Sequence, residues 1–179
     1  KKLIIREIKE TDKNKITEMY KEYMNSELMP GIDRFEGIRN FEYLGNMDFK
    51  TWIEELEFNK KQENLPKEYS SSTTYIAINE KNEIVGAIGL RWKEVGVLKT
   101  YGGMIGYSIR PSKRGKGYAS EMLRLSLQEY KKKQPSKEKI LITCKDFNIP
   151  SKKVIEKNGG KFENAYFNPE DQYTYLRFW

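Results

Sequence analysis

Residues 104–144 limit more than any other stretch what this chain can fold into. Met104–Ile109 is a short strand pattern. It passes through Arg110–Lys116 into a helix predicted over Gly117–Lys132, whose inner face is Ala119, Met122, Leu123, Ser126, Leu127 and Tyr130. After Gln134-Pro135-Ser136 the pattern returns to an apolar strand at Lys139–Cys144. A strand, a helix and a strand in that order imply parallel neighbours joined by a right-handed crossover.

The flanking segments fit one domain. Leu3–Ile8 reads as a first strand. Ile16, Met19, Tyr20 and Tyr23 then recur at helical spacing behind Thr11 and Asp12, which predicts a helix over Lys13–Met24. Leu28–Asn46 carries Pro30, Gly31, Gly37 and Gly45 and is expected to hold a short helix or lid. Asp48 is placed to cap a second helix with Phe49, Trp52, Ile53 and Leu56 on its apolar face. Asn64–Ser72 reads as a loop. Thr73–Asn79 and Glu83–Trp92 form a hairpin about Glu80–Asn82, and Gly86 and Gly89 in its return strand imply a bulge or a close backbone approach. Ile149–Asn158 is a further helix, ended by Gly159-Gly160, and Lys161–Glu163 and Gln172–Phe178 are closing strands. With no repeat and no boundary, residues 1–179 read as one α/β domain of the α+β kind around a mixed sheet.

Composition excludes several kinds of chemistry. The 179 residues suffice for one core, and 13% aromatics supply large buried surfaces. There is no histidine, which rules out Ser-His-Asp and Cys-His catalysis and removes the commonest metal ligand; no metal site is expected. Cys144 is the one cysteine, so no internal disulfide forms and a reducing, cytoplasmic setting is expected. No run is apolar enough for a bilayer, and the charged start Lys1-Lys2-Leu3-Ile4-Ile5-Arg6 does not fit a signal peptide, so no membrane partner is expected. The net charge is +7, but basic residues are interspersed with Glu. The dense runs Lys131–Lys133 and Lys152–Lys153 are read as solvated helix ends, and no nucleic-acid partner is expected. A modest positive field still draws in a polyanionic cofactor.

The connection Arg110-Pro111-Ser112-Lys113-Arg114-Gly115-Lys116-Gly117-Tyr118-Ala119-Ser120 has the makings of a phosphate cradle. The first amides of a helix lack partners within it and carry partial positive charge. Glycines permit close backbone approach, and Arg114 and Lys116 add full charges. A Walker A loop fails because Gly117 follows Gly115-Lys116, and a dinucleotide fingerprint fails at Ser120. Arg114, Gly117 and Ala119 match R/Q-x-x-G-x-G/A at every fixed position.

Together with Ile105-Gly106-Tyr107-Ser108-Ile109-Arg110-Pro111, this loop resembles the core motif of the GNAT superfamily of acetyl-CoA-dependent N-acetyltransferases. The resemblance extends to the order of elements over nearly the whole chain. It implies a central sheet of about seven strands with flanking helices, in which two parallel strands, Met104–Ile109 and Ile140–Cys144, splay apart to admit pantetheine. It implies acetyl-CoA as co-substrate, with Ile109, Arg114, Gly115, Lys116, Gly117, Tyr118, Ala119 and Ser120 at its pyrophosphate. Against the related motif N-x-x-A-x-x-L-Y-x-K-x-G-F the chain has Asn148, Ser151, Val154, Ile155, Lys157 and Gly159. Asn148 then faces pantetheine or the substrate side of the cleft, or caps the helix, and Ser151 contacts CoA or faces solvent. The family's frequent general acid, a tyrosine, is replaced by Ile155; no carboxylate lies in Gly102–Ile109; and Met104 stands where relatives often carry histidine.

The expected reaction is transfer of acetyl to a primary amine by direct attack in a ternary complex. A backbone amide near Tyr107–Ile109 stabilises the oxyanion, and approximation supplies much of the rate. Catalytic side-chain candidates are Tyr107, Tyr173 and Glu94, with Tyr175 facing either the cleft or the opposite helix. Cys144 reads as a core thiol. The acceptor is a small-molecule or peptide amine. Glu27, Asp33, Glu36, Glu42, Asp48, Glu54 and Glu55, in the segment expected to wall the acceptor, hint at a cationic one. A monomer or homodimer is expected. The alternatives are a non-catalytic CoA-binding sensor and a nucleotide-binding protein using the same loop.

Overall fold

The computed structural model describes residues 2–26, 36–39 and 41–179, without the Glu42 side chain. The elements run β1 (Leu3–Glu7), α1 (Lys13–Met24), α2 (Phe49–Phe58), β2 (Ser72–Asn79), β3 (Ile84–Arg91), β4 (Ile105–Ile109), α3 (Tyr118–Lys133), β5 (Ile142–Lys145), α4 (Ile149–Lys157), β6 (Phe162–Asn168) and β7 (Tyr173–Phe178). Every ladder is antiparallel: β1-β2-β3-β4 form one sheet and β5-β7-β6 another. The expected parallel neighbours β4 and β5 do lie side by side. Their backbones are joined where the Met104 amide donates to the Leu141 carbonyl at 2.8 Å, and past that point they form no ladder.

Alternation along the strands fills two cores. Tyr75, Ala77, Ile88 and Leu90 point to one side of the first sheet, where Met122, Leu123 and Tyr130 of α3 and Ile155 of α4 close over them. Ile76, Ile78 and Ala87 point to the other, beneath Ile16, Met19 and Tyr23 of α1 and Trp52 of α2. Each fully buried Ile, Leu or Met side chain among them contributes roughly 1.5–3 kcal/mol. Asp48 accepts from the Thr51 amide and caps α2 as expected. The short helix expected within Leu28–Asn46 is a 3-10 segment, Phe41–Asn46, packed inward: Phe41 is fully buried among Tyr20, Tyr23 and Trp52. Residues 28–35 and 40 of that segment, Pro30 and Gly31 among them, lie outside the described residues.

Both predictions for the β3 glycines hold. Ile78 pairs with Ile84 and Ala77 with Gly86, so Val85 is the extra residue of a bulge. A Cβ on Gly89 would lie 3.1 Å from the Gly37 carbonyl. Gly37, at φ +88°, has its own missing Cβ 2.7 Å from the Gly106 carbonyl. Gly37, Gly89 and Gly106 thus let one backbone lie directly on β3 and β4, and this seats Glu36 over β4. Two strands depart from expectation by more than a residue. The β5 ladder starts at Ile142 because Leu141 is turned to Met104, and β6 extends to Asn168 because pairing with β7 continues from Asn164 to Asn168.

Candidate acetyl-transfer site

The approach loop is stiffened before it reaches α3. Glu22 on α1 accepts from Arg110 Nε at 2.5 Å and from the Ser112 amide at 2.6 Å. Pro111–Lys113 make a 3-10 turn, and Gly115 and Gly117 take φ of +73° and +81°. Such values favour glycine. Gly117 is the N-cap of α3 and brings no side chain to cap it. A Cβ at Gly115 or Gly117 would meet nothing within 4 Å, so the space over the helix start is open. Arg114, which donates from Nε to the Ile109 carbonyl at 3.2 Å, and Lys116 are exposed there. Tyr118, Ala119 and Ser120 form the first turn. Ser120 is engaged from below, its carbonyl and hydroxyl accepting from Asn158 Nδ2 at 3.1 and 3.3 Å.

From that helix start the gap between β4 and β5 runs inward. The Arg91 amide donates to the Met104 carbonyl and the Arg110 amide to the Val85 carbonyl, so even-numbered residues of β4 face β3. By alternation the amides of Ile105, Tyr107 and Ile109 turn to the gap. The gap opens into a cavity of about 540 Å³. Ile105, Gly106 and Tyr107 line it from β4, Thr143, Cys144 and Lys145 from β5, Asn148 and Ser151 from the start of α4, and Tyr173 and Tyr175 from β7.

Tyr107 leans towards α4, where its hydroxyl and the Ser151 hydroxyl share a hydrogen bond of 2.8 Å. Burial pushes this phenol up to about 12, so it stays protonated at neutral pH. Asn148 caps α4 through the Ser151 amide at 3.2 Å, and it also lines the cleft. Ile155, in the place of the frequent tyrosine, is fully buried core. Cys144 is a free buried thiol, pushed up to about 11 by desolvation, as a core thiol should be.

The far end of the cavity is aromatic and acidic. The Tyr101 ring lies 5.3 Å from Tyr175 and 6.0 Å from Tyr166. Asp171 accepts from the Tyr175 hydroxyl at 2.5 Å and from the Tyr173 amide at 2.9 Å. Glu36 Oε2 lies 3.3 Å from where a Gly106 Cβ would be. Lys145 Nζ sits 4.1 Å over the Tyr173 ring.

The expected residues divide accordingly. Ile109 and Arg114–Ser120 gather at the α3 start, and Tyr107, Tyr173, Asn148 and Ser151 gather in the cleft. Glu94 is not brought to them: it lies past the end of β3, 3.7 Å from Lys137, outside the cleft lining. Of the seven acids taken to suggest a cationic acceptor, Glu36 lines the cavity. Asp48, Glu54 and Glu55 belong to α2 and its cap, away from the lining, while Glu27 and Asp33 and the Glu42 side chain fall outside the described residues. Sequence reasoning passed over Arg91, Tyr101, Glu170 and Asp171. The one available signal was the Asn-Pro-Glu-Asp turn between the last two strands, beside tyrosines of alternating register. Among the described residues no three His, Cys, Asp or Glu gather as a metal-binding group, and no helix is long and apolar enough to cross a membrane.

Solved structures share this architecture. The Salmonella typhimurium acetyl transferase that modifies the N-terminal serine of ribosomal protein L7/L12 is 16% identical, with a TM-score of 0.64 over 98% of this chain and 92% of that one. The dodecameric spermidine N-acetyltransferase of Vibrio cholerae is 13% identical, with a TM-score of 0.60 over 98% and 91%. An aminoglycoside acetyltransferase in complex with coenzyme A is 18% identical, with a TM-score of 0.57 over 98% and 94%. No curated protein matches the sequence. The sequence model described as "Acetyltransferase (GNAT) domain" matches residues 2–161, from β1 to the end of the α4 turn. With that match spanning both arms of the gap and the glycine loop, the chain belongs to the GNAT acetyltransferase family.

Proposed function

We propose that the protein moves the acetyl group of acetyl-CoA onto a primary amine by direct attack in a ternary complex. One observation carries the reading: an uncapped glycine helix start opens straight into a gap where β4 and β5 stop pairing. A diphosphate is held by the amides of residues 115–120 with Arg114 and Lys116 beside it. Pantetheine lies along the edge of β4 at Ile109 and meets Asn148 and Ser151. The amine nitrogen attacks the thioester carbon, and the amide of Tyr107 or Ile109 holds the oxyanion. The C–S bond then breaks, the electron pair leaves on sulfur, and the nitrogen gives up its proton to water.

The Tyr107 hydroxyl, protonated and fixed by Ser151, donates a hydrogen bond to the departing thiolate. It thereby takes over from the opposite wall the task for which Ile155 has no proton. Tyr173 flanks the acceptor side. Glu94, tied near Lys137, has no part. The free, buried Cys144 fits a reducing, cytoplasmic setting.

The test is calorimetric titration with acetyl-CoA, followed by thiol release over a panel of amines. Binding with turnover supports the proposal. Binding without turnover on any amine leaves a sensor, and preference for ATP or NAD removes the CoA assignment.

A further inference from the structure

We propose that the far end of the cleft selects a small polycationic amine, seating a second ammonium group of the acceptor among the Tyr101 and Tyr175 rings and the carboxylates of Asp171 and Glu36. The inference rests on the acetyltransferase reading and adds to it the class of acceptor.

The rings come first. Tyr101, Tyr166 and Tyr175 cluster within 6.0 Å of Tyr101, yet none of the three belongs to either hydrophobic core. Core packing therefore does not explain them. Tyr101 and Tyr175 line a cavity continuous with the gap that takes the thioester. Ring faces on the wall of such a cavity attract cations.

The charges point the same way. Glu36, Glu170 and Asp171 line the cavity against two cations, Arg91 and Lys145, which leaves it one charge negative in a protein of net charge +7. Local sign is thus opposite to the background. The cations have partners of their own in the lining: Arg91 Nη1 donates to the carbonyls of Gly102 and Gly103 at 3.0 and 2.9 Å while its Nη2 comes to the same place over Gly106 as Glu36 Oε2, and Lys145 Nζ lies over the Tyr173 ring, so the excess of one negative charge remains after both are counted. Asp171 and Glu36 both line this end of the cavity, the first holding the Tyr175 hydroxyl at 2.5 Å and the second seated over Gly106.

Chemistry sets the arrangement. The attacking nitrogen must be neutral, and a second nitrogen that keeps its proton needs a place away from the thioester. A cavity of about 540 Å³ holds a small molecule, not a folded chain.

The experiment compares aliphatic diamines with monoamines of the same chain length as acceptors, at saturating acetyl-CoA, by thiol release. A preference for the diamine of at least about tenfold in kcat/KM, carried by KM, is expected. In the double variant Glu36→Gln, Asp171→Asn that preference falls towards one, and calorimetry with acetyl-CoA on the same variant establishes that its cofactor site is intact. Equal use of diamines and monoamines overturns this inference and leaves the acetyltransferase reading standing. So does a preference for peptide N-termini over every small amine, or an unchanged diamine preference in a double variant that binds acetyl-CoA. No thiol release with any amine, despite bound acetyl-CoA, overturns both.

Discussion

Tyr107 and Ser151 share a hydrogen bond across the gap, and in the proposed reaction their effects should not add. Tyr107→Phe is expected to lower kcat by about a hundredfold with little change in the KM for acetyl-CoA, because the hydroxyl is needed only as the thiolate forms. Ser151→Ala should cost less, about tenfold, since it frees the phenol to turn without removing it. Measured on the Tyr107→Phe background, Ser151→Ala should then cost nearly nothing, a coupling that independent packing roles would not produce. Elsewhere, the Tyr75 hydroxyl is buried without a hydrogen-bond partner. Tyr75→Phe should therefore raise stability by about 1 kcal/mol in urea denaturation, and a loss would reveal a partner. The open glycine turn before α3 could be read in the sequence because glycine and charge at fixed spacing are local signals. Tyr101, Asp171 and the seat of Glu36 could not, because three glycines far apart in the chain and a turn between two strands bring them together.

Elements with local causes were read most closely. The bounds of α1 match the apolar spacing of Ile16, Met19 and Tyr23 to the residue, and Asp48 caps α2 as its position demands. β6 was underread because its length is set by β7, a partner the local pattern does not contain. The entry to α1 rests on Asp12, which is buried, accepts both ends of the Arg6 guanidinium at 2.8 Å and takes the Lys9 amide at 2.8 Å. Those bonds, led by that from Arg6, hold its carboxyl below the ordinary 3.8. A depressed folded value means that its stabilisation is complete above 3.8 and lost as pH falls through the lower folded value. Arg6 is about a third exposed, which weakens the pair below a fully buried one. Asp12→Asn should then cost about 2 kcal/mol at neutral pH and progressively less in acid, where the wild type loses the same contribution; a pH-independent cost would remove the charge from the account. At the start of α3, Gly117→Ala meets open space but a left-handed backbone, so about 1 kcal/mol of stability should go with CoA still bound. Gly117→Glu adds a charge against the diphosphate and should abolish binding in calorimetry while the fold persists.

At the scale of the whole molecule the two sheets meet along a seam that is closed at the Met104–Leu141 bond and open beyond it. The facing edges of β4 and β5 carry amides with no ladder to satisfy them, and in the proposed complex a pantetheine arm laid between them would behave as the strand that is missing. Such a ligand should tie the sheets to each other and not merely occupy a pocket. At a hundred times its Kd, CoA stabilises the folded state by about 2.7 kcal/mol, which for a chain of this size is a rise in Tm of roughly 5–10 °C. The location of that gain is the sharper measurement. Hydrogen exchange should slow at the amides of Ile105, Tyr107 and Ile109 and along Thr143–Lys145, as well as at Gly117–Ser120. Protection confined to the glycine loop would mean that the nucleotide end binds while the arm stays outside the gap. The acetyl group would then never reach the amides that are to hold its oxyanion.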